Sequence, residues 1–252
     1  LFTTAFNGTD QYIEDVIPAK GGGWWMATSH ASDQGAGDTL LRQIGTKGKL
    51  DWQQSFTGGA HHKIRSLSPS ATGFVGAGEV GDKNASGGID QSSYKGWLAS
   101  FDGQGKGPNW TLTHGGSGRH LLRGVTTLAD GRVVACGHAG DPASAWELVV
   151  SATGKLMTEW KGPNAGVCWQ ARPLGTGWVL AGSKGTYPAS TAWLSARDAH
   201  GVVRWSHTYT NAAHGARNMT TAPDGTVVAV GTDYPTYRGF AMKVDGRGHQ
   251  LW

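Results

Sequence analysis

Charge, cysteine, proline and long apolar runs are all scarce in this chain, and each scarcity removes a class of answers. Only 16% of the 252 residues are charged, and 22 Lys and Arg against 18 Asp and Glu leave a formal net charge of +4. The basic residues are scattered, without the cluster that neutralises a run of phosphates, so no nucleic-acid partner is expected. No stretch of 18 apolar residues occurs, which argues against a membrane span. Leu1-Phe2-Thr3-Thr4 lacks the basic-then-apolar order of a retained signal peptide. Cys136 and Cys168 have no CxxC partner and are too few for a disulfide framework, and spacing alone leaves them bridged or free. No Gly-x-Ser-x-Gly elbow, P-loop or His-Glu-x-x-His is present, so the familiar catalytic signatures are missing. No cofactor and no metal are expected. No Pro- or Ser-rich linker divides the chain, and residues 1–252 read as one domain.

What is abundant is glycine, 41 residues, and tryptophan, 12 residues. Glycine at that level without a Gly-X-Y period indicates tight turns and an all-β chain. The turns recur. Gly48…Trp52, Gly105…Trp110, Gly154…Trp160, Gly201…Trp205 and Gly248…Trp252 space their glycines by 57, 49, 47 and 47 residues. Upstream of each lies a strand with a large residue near its start: Leu40, Trp97, Trp146, Trp193 and Phe240. Further upstream runs an aliphatic strand, such as Val133-Val134-Ala135-Cys136-Gly137 or Val227-Val228-Ala229-Val230-Gly231, often preceded by an Asp-Gly turn.

Units of about 47 residues with four short strands are blades of a propeller, because one small sheet cannot bury both of its faces alone. Five units predict a five-bladed β-propeller, with blades over 8–56, 57–113, 114–162, 163–209 and 210–252 together with 1–7. Phe2-Thr3-Thr4-Ala5-Phe6 matches Trp52-Gln53-Gln54-Ser55-Phe56, so the N-terminal segment is expected to close the ring as the outer strand of the last blade. Trp252 competes for the same repeat position as Phe2.

The repeats resemble those of secreted bacterial propeller proteins, whose unit ends Asp-x-x-Gly-x-x-x-Trp. Val244-Asp245-Gly246-Arg247-Gly248-His249-Gln250-Leu251-Trp252 and Asp224-Gly225-Thr226-Val227-Val228-Ala229-Val230-Gly231 carry the likeness most clearly, and it extends over essentially the whole chain. It implies a secreted, periplasmic or cell-surface protein with a binding or scaffolding role.

Aligned innermost strands read Gln11-Tyr-Ile-Glu14, His62-Lys-Ile-Arg65, His120-Leu-Leu-Arg123, Trp169-Gln-Ala-Arg172 and His214-Gly-Ala-Arg217. Arg65, Arg123, Arg172 and Arg217 read in two ways: as blade-junction donors to backbone carbonyls, or as a positive ring around the channel that attracts an acidic group. His62, His120 and His214, with Trp169, begin these strands and are expected near one rim. A metal site from those three histidines lacks i+2 or i+4 spacing and a completing carboxylate. Tyr12, Glu79, His138, Lys184 and Asp233 return to the same rim and differ from blade to blade. In a repeat protein the scaffold repeats and function breaks the repeat, so these positions form the candidate ligand-binding set.

Eight of the tryptophans recur by blade and are read as core. The expected function is non-catalytic recognition of a protein, peptide or carbohydrate, or of an acidic or polyhydroxy ligand, at one rim. A lectin with equivalent sites would repeat its contacts in every blade, whereas this rim is asymmetric. The alternative is a glycoside-acting hydrolase using rim carboxylates among Asp10, Glu14, Glu79 and Asp233.

Overall fold

A computed structural model describes all residues except 1–10, 31–38, 57–59, 83–88, 106, 187–188, 214 and 234–237. The first blade comprises β1 (Gln11–Pro18), β2 (Trp24–His30), β3 (Thr39–Ile44) and β4 (Leu50–Ser55). The second comprises β5 (Ala60–Pro69), β6 (Gly73–Asp82), β7 (Lys95–Asp102) and β8 (Trp110–His114), and the third β9 (His120–Thr127), β10 (Val133–Ala139), β11 (Ser144–Val150) and β12 (Leu156–Asn164). The fourth is β13 (Gly166–Leu174), β14 (Gly177–Lys184), β15 (Thr191–Arg197) and β16 (Val203–Ala213), followed by β17 (Ala216–Thr221), β18 (Val227–Asp233) and β19 (Arg238–Val244) of the fifth. Each sheet is antiparallel with sequential neighbours paired, and the fold is a five-bladed β-propeller.

The fifth sheet has three strands among the described residues. The N-terminal segment expected to complete it lies outside them. The C-terminal residues begin a fourth strand themselves: Val244 bridges Gln250, and Lys243 exchanges backbone hydrogen bonds with Leu251 and Trp252 at 2.8 and 3.0 Å. Trp252 thus faces Lys243 as Trp52 faces Gln43 in the first blade.

Burial follows strand order. β10 is buried along its whole length because both faces of a second strand are covered, which accounts for its continuous apolar run. β8 instead alternates between half-buried and exposed residues, as an outer strand with one solvated face must.

The chain groups into two compact units, Leu1–Leu122 with Ser151–Lys155, and Arg123–Val150 with Leu156–Trp252. In the first unit, Ile17, Trp25, Ala27 and Leu41 of the first blade pack against Ile64, Phe74, Trp97 and Phe101 of the second. In the second unit one core joins Val134, Cys136 and Val149 to Cys168, Trp178 and Leu180, and another joins Val179 and Leu194 to Met219, Val227 and Met242.

The recurrent Gly…Trp signature is the device that joins blades. Trp110, which opens β8, donates from Nε1 to the carbonyl of Ala152 at 3.0 Å, and its ring covers Gly154 in the next blade's turn. Gly154 has φ of +85°, and a Cβ there would lie 2.7 Å from that ring. Left-handed backbone and close approach both require glycine at this place. Trp205 repeats the arrangement, donating to the Gly246 carbonyl at 3.0 Å and lying against Gly248.

Candidate functional site

The innermost strands carry a β-bulge that re-aims one side chain. Pairing with the second strand jumps between Ile13 and Asp15, between Ile64 and Ser66, between Cys168 and Gln170, and between Ala216 and Asn218. The skipped residues are Glu14, Arg65, Trp169 and Arg217, and Arg123 holds the matching place in the third blade's sequence. A bulged residue leaves the ladder and turns its side chain away from the sheet's own packing. The residue before the bulge faces the glycine that ends the aliphatic strand, as Ile64 faces Gly78 and Cys168 faces Gly182. At both glycines a Cβ would collide with the carbonyl oxygen displaced by the bulge, of Lys63 and of Val167 respectively.

This register corrects the sequence alignment of the fourth blade. Trp169 is placed not with the histidines but at the position that holds Arg or Glu in the other blades. Arg172 lies three residues further along, opposite Val179, with Nη1 donating to the Ala171 carbonyl at 3.0 Å.

In the first unit the candidate charges satisfy one another. Arg65 donates to both oxygens of Glu79, at 2.7 Å from Nε and 2.5 Å from Nη2, and Glu79 is fully buried. Burial by itself would lower the Arg65 pKa, but the charge and hydrogen bonds of Glu79, with help from Glu14, outweigh it and hold the guanidinium above its ordinary value. Glu14 accepts from Ser29 Oγ at 2.6 Å and pairs with Lys63 Nζ at 2.7 Å. Tyr12 is exposed, and His62 stands edge-on to Trp97 at 5.1 Å. His120 is buried with Nδ1 2.9 Å from the Gly118 carbonyl, while its backbone N–H donates to Tyr94.

The second unit holds a different arrangement. The Arg123 guanidinium lies 4.2 Å from the centre of the Trp169 ring and that of Arg217 lies 3.9 Å from it. One arginine comes from the blade before and one from the blade after, so the ring is shared by the guanidiniums of both adjacent blades. Each contact is a cation–π pair worth roughly 0.5–2 kcal/mol. Arg123 Nε also donates to Nδ1 of the buried His138 at 3.4 Å, which assigns the proton of a neutral His138 to Nε2. Arg217 is exposed at its rim, partial desolvation against the ring lowers its pKa, and among the described residues no carboxylate pairs with it.

Trp169 and Arg217 line a cavity of about 520 Å³, within the range of small-molecule sites. Asp141, Ser183, Thr186, Ser190 and Thr232 bring polar groups to its wall. The indole N–H of Trp169 is buried with no acceptor among the described residues, and such an orphaned donor costs about 1–3 kcal/mol. Lys184 is exposed and lines a separate, smaller recess of about 90 Å³ with Trp160 and Trp193. His214 lies outside the described residues. Asp233 pairs by backbone with Arg238 at the end of β18.

One charged pair in this unit was missed from sequence. Glu147 and Arg197 are almost fully buried, 3.3 Å apart, and Trp178 Nε1 donates to Glu147 at 2.5 Å. Burial dominates both shifts, raising the Glu147 carboxyl and lowering the Arg197 guanidinium. A signal was available. Counting from the large residue of each third strand, the next position is Leu41, Leu98, Leu194 or Ala241 elsewhere but Glu147 here. Four places on, the other blades carry Ile44, Phe101, Val150 and Val244, against Arg197 in the fourth. Two charges that break an apolar repeat in adjacent blades are natural partners.

No protein-family model and no curated protein matches the chain. Among solved structures it is similar to the β-propeller domain of the trilobed protease from Pyrococcus furiosus, with a TM-score of 0.51 and 11% identity over 95% of this chain and 69% of that one. It is also similar to a eukaryotic initiation factor, at TM-score 0.46 and 12% identity, covering 95% of this chain and 54% of that one. A third likeness is to prolyl oligopeptidase B from Galerina marginata, at TM-score 0.45 and 10% identity over 96% and 35% of the two chains. The chain spans about half the length of the initiation factor it matches. At such identities the likeness defines a class by fold alone, the β-propellers, and carries no activity with it.

Proposed function

We propose that this chain is a non-catalytic binding propeller that recognises an acidic, hydroxyl-bearing ligand at the cavity beside Trp169. The carrying observation is the contrast between the candidate carboxylates and the cations. Glu14 and Glu79 are held by Lys63 and Arg65, which leaves neither as a ready acid or base for glycoside cleavage. Arg217, by contrast, is held by a ring face at the edge of a cavity whose wall includes Asp141, and no carboxylate among the described residues is paired with it. A guanidinium without an ion-pair partner at the mouth of a recess attracts an anionic group. A secreted or cell-surface setting is supported by the resemblance of the repeats and by the bridge between Cys136 and Cys168, since disulfides persist in oxidising compartments.

The test is a panel of acidic and neutral sugars and peptides, read by thermal shift and by tryptophan fluorescence, with Arg217→Met in parallel. Acidic members should raise the melting temperature and the substitution should weaken their binding at least about tenfold, the equivalent of 1.4 kcal/mol. Turnover of any panel glycoside, or acidic-ligand binding that Arg217→Met leaves unchanged, overturns the reading.

A further inference from the structure

We infer that the ligand of this cavity is a sugar acid, its carboxylate set on Arg217 and its hydroxyl groups on the polar wall. The inference rests on the binding reading above and narrows it to one chemical class. Its starting point is what Trp169 cannot do. Sugar-binding tryptophans commonly offer a ring face to a pyranose, but this ring already carries the guanidiniums of Arg123 at 4.2 Å and Arg217 at 3.9 Å. Trp169 therefore serves as the platform that holds Arg217 at the cavity.

Among the described residues no carboxylate pairs with Arg217. Its guanidinium offers a planar fork of donors that matches a carboxylate, and the π-face beneath it leaves those in-plane donors free to engage an anion.

The rest of the lining selects the body of the ligand. Ser183, Thr186, Ser190 and Thr232 supply hydroxyls that both donate and accept, and Asp141 supplies an acceptor for vicinal hydroxyl groups. Apart from Trp169, the apolar lining consists of the small side chains of Pro142, Ala143, Ala165 and Val167. Polar walls of both donor and acceptor type around one cation suit a polyhydroxylated carboxylate better than an acidic peptide. No bond is made or broken in this role.

The experiment is isothermal titration of the full chain with galacturonate and trigalacturonate, against galactose, acetate and N-acetylaspartate as probes of the ring alone, the carboxylate alone and an acidic amino acid. The uronates should bind at least about tenfold more tightly than galactose and than acetate. Asp141→Asn should weaken uronate binding relative to acetate binding, which the loss of a negative charge from the cavity wall favours. If N-acetylaspartate binds as tightly as the uronates and Arg217→Met abolishes it, the sugar-acid assignment fails while the acidic-ligand site stands. If no acidic probe binds, or Arg217→Met changes nothing, both fail together. Thermal unfolding of each variant establishes that lost binding is not lost folding.

Discussion

A glutamate and an arginine that interrupt an apolar repeat can either stabilise a blade junction or burden it, and burial decides which. Glu147 and Arg197 are nearly fully buried, and desolvation is the leading influence on both, pushing each toward its neutral form. Their attraction offsets much of that penalty without turning the pair into a large net gain. Arg197→Met alone should therefore destabilise the protein by about 3–5 kcal/mol, because it strands a buried carboxylate. Adding Glu147→Met should recover most of the loss, short of the roughly 1–3 kcal/mol owed to the unpartnered Trp178 N–H. Urea denaturation of the two single variants and the double variant measures this directly. Equal stability of Arg197→Met and the double variant would show that the ion pair is not what the junction depends on.

Within a strand, the decisive element is the bulge and the glycine opposite it. The displaced Val167 carbonyl occupies the space a Cβ at Gly182 would need, and backbone on both sides leaves it little freedom to move. Gly182→Ala should cost about 3 kcal/mol, at the upper end of overpacking penalties, and disturb Trp169 through the shared bulge. Gly116→Ala, where a Cβ would meet nothing within 4 Å, should stay within about 0.5 kcal/mol of the parent. Chemical denaturation compares them, and a mild Gly182→Ala phenotype would mean the bulge can be ironed out. The bulge also explains how sequence reading misplaced Trp169. Counting from His to Arg presumes that the same four residues recur, whereas Gly166-Val167-Cys168-Trp169 reaches the bulge with neither His at its start nor Arg at its end.

For the molecule as a whole, the bridge from Cys136 in β10 to Cys168 in β13 is a covalent tie between adjacent blades, closing a separation of 32 residues with Cα atoms 5.6 Å apart. The non-covalent contacts between blades, from tryptophans seated on turns to apolar faces and the Glu147–Arg197 pair, do not constrain the unfolded chain. A loop of that length should contribute about 3–4 kcal/mol through the unfolded state. The Cys136→Ser/Cys168→Ser protein should lose about that much, and dithiothreitol should lower the melting temperature of the parent but not of the variant. Mass spectrometry after alkylation without reduction should find neither cysteine modified. Two alkylated cysteines would refute the bridge.

The architecture was legible in the sequence because a propeller repeats its chemistry. The Gly…Trp spacing, the aliphatic second strands and the large residue of each third strand mark every blade, since each solves the same packing problem with the same local parts. Tertiary structure alone decided which candidate charges are already paired, as Arg65 is with Glu79, and that Arg217 borders the cavity beside Trp169. It also decided that Trp169 meets the arginines of both adjacent blades. Those outcomes depend on which side chains of neighbouring blades meet, and a one-residue bulge redirects a side chain without leaving any mark in composition or period.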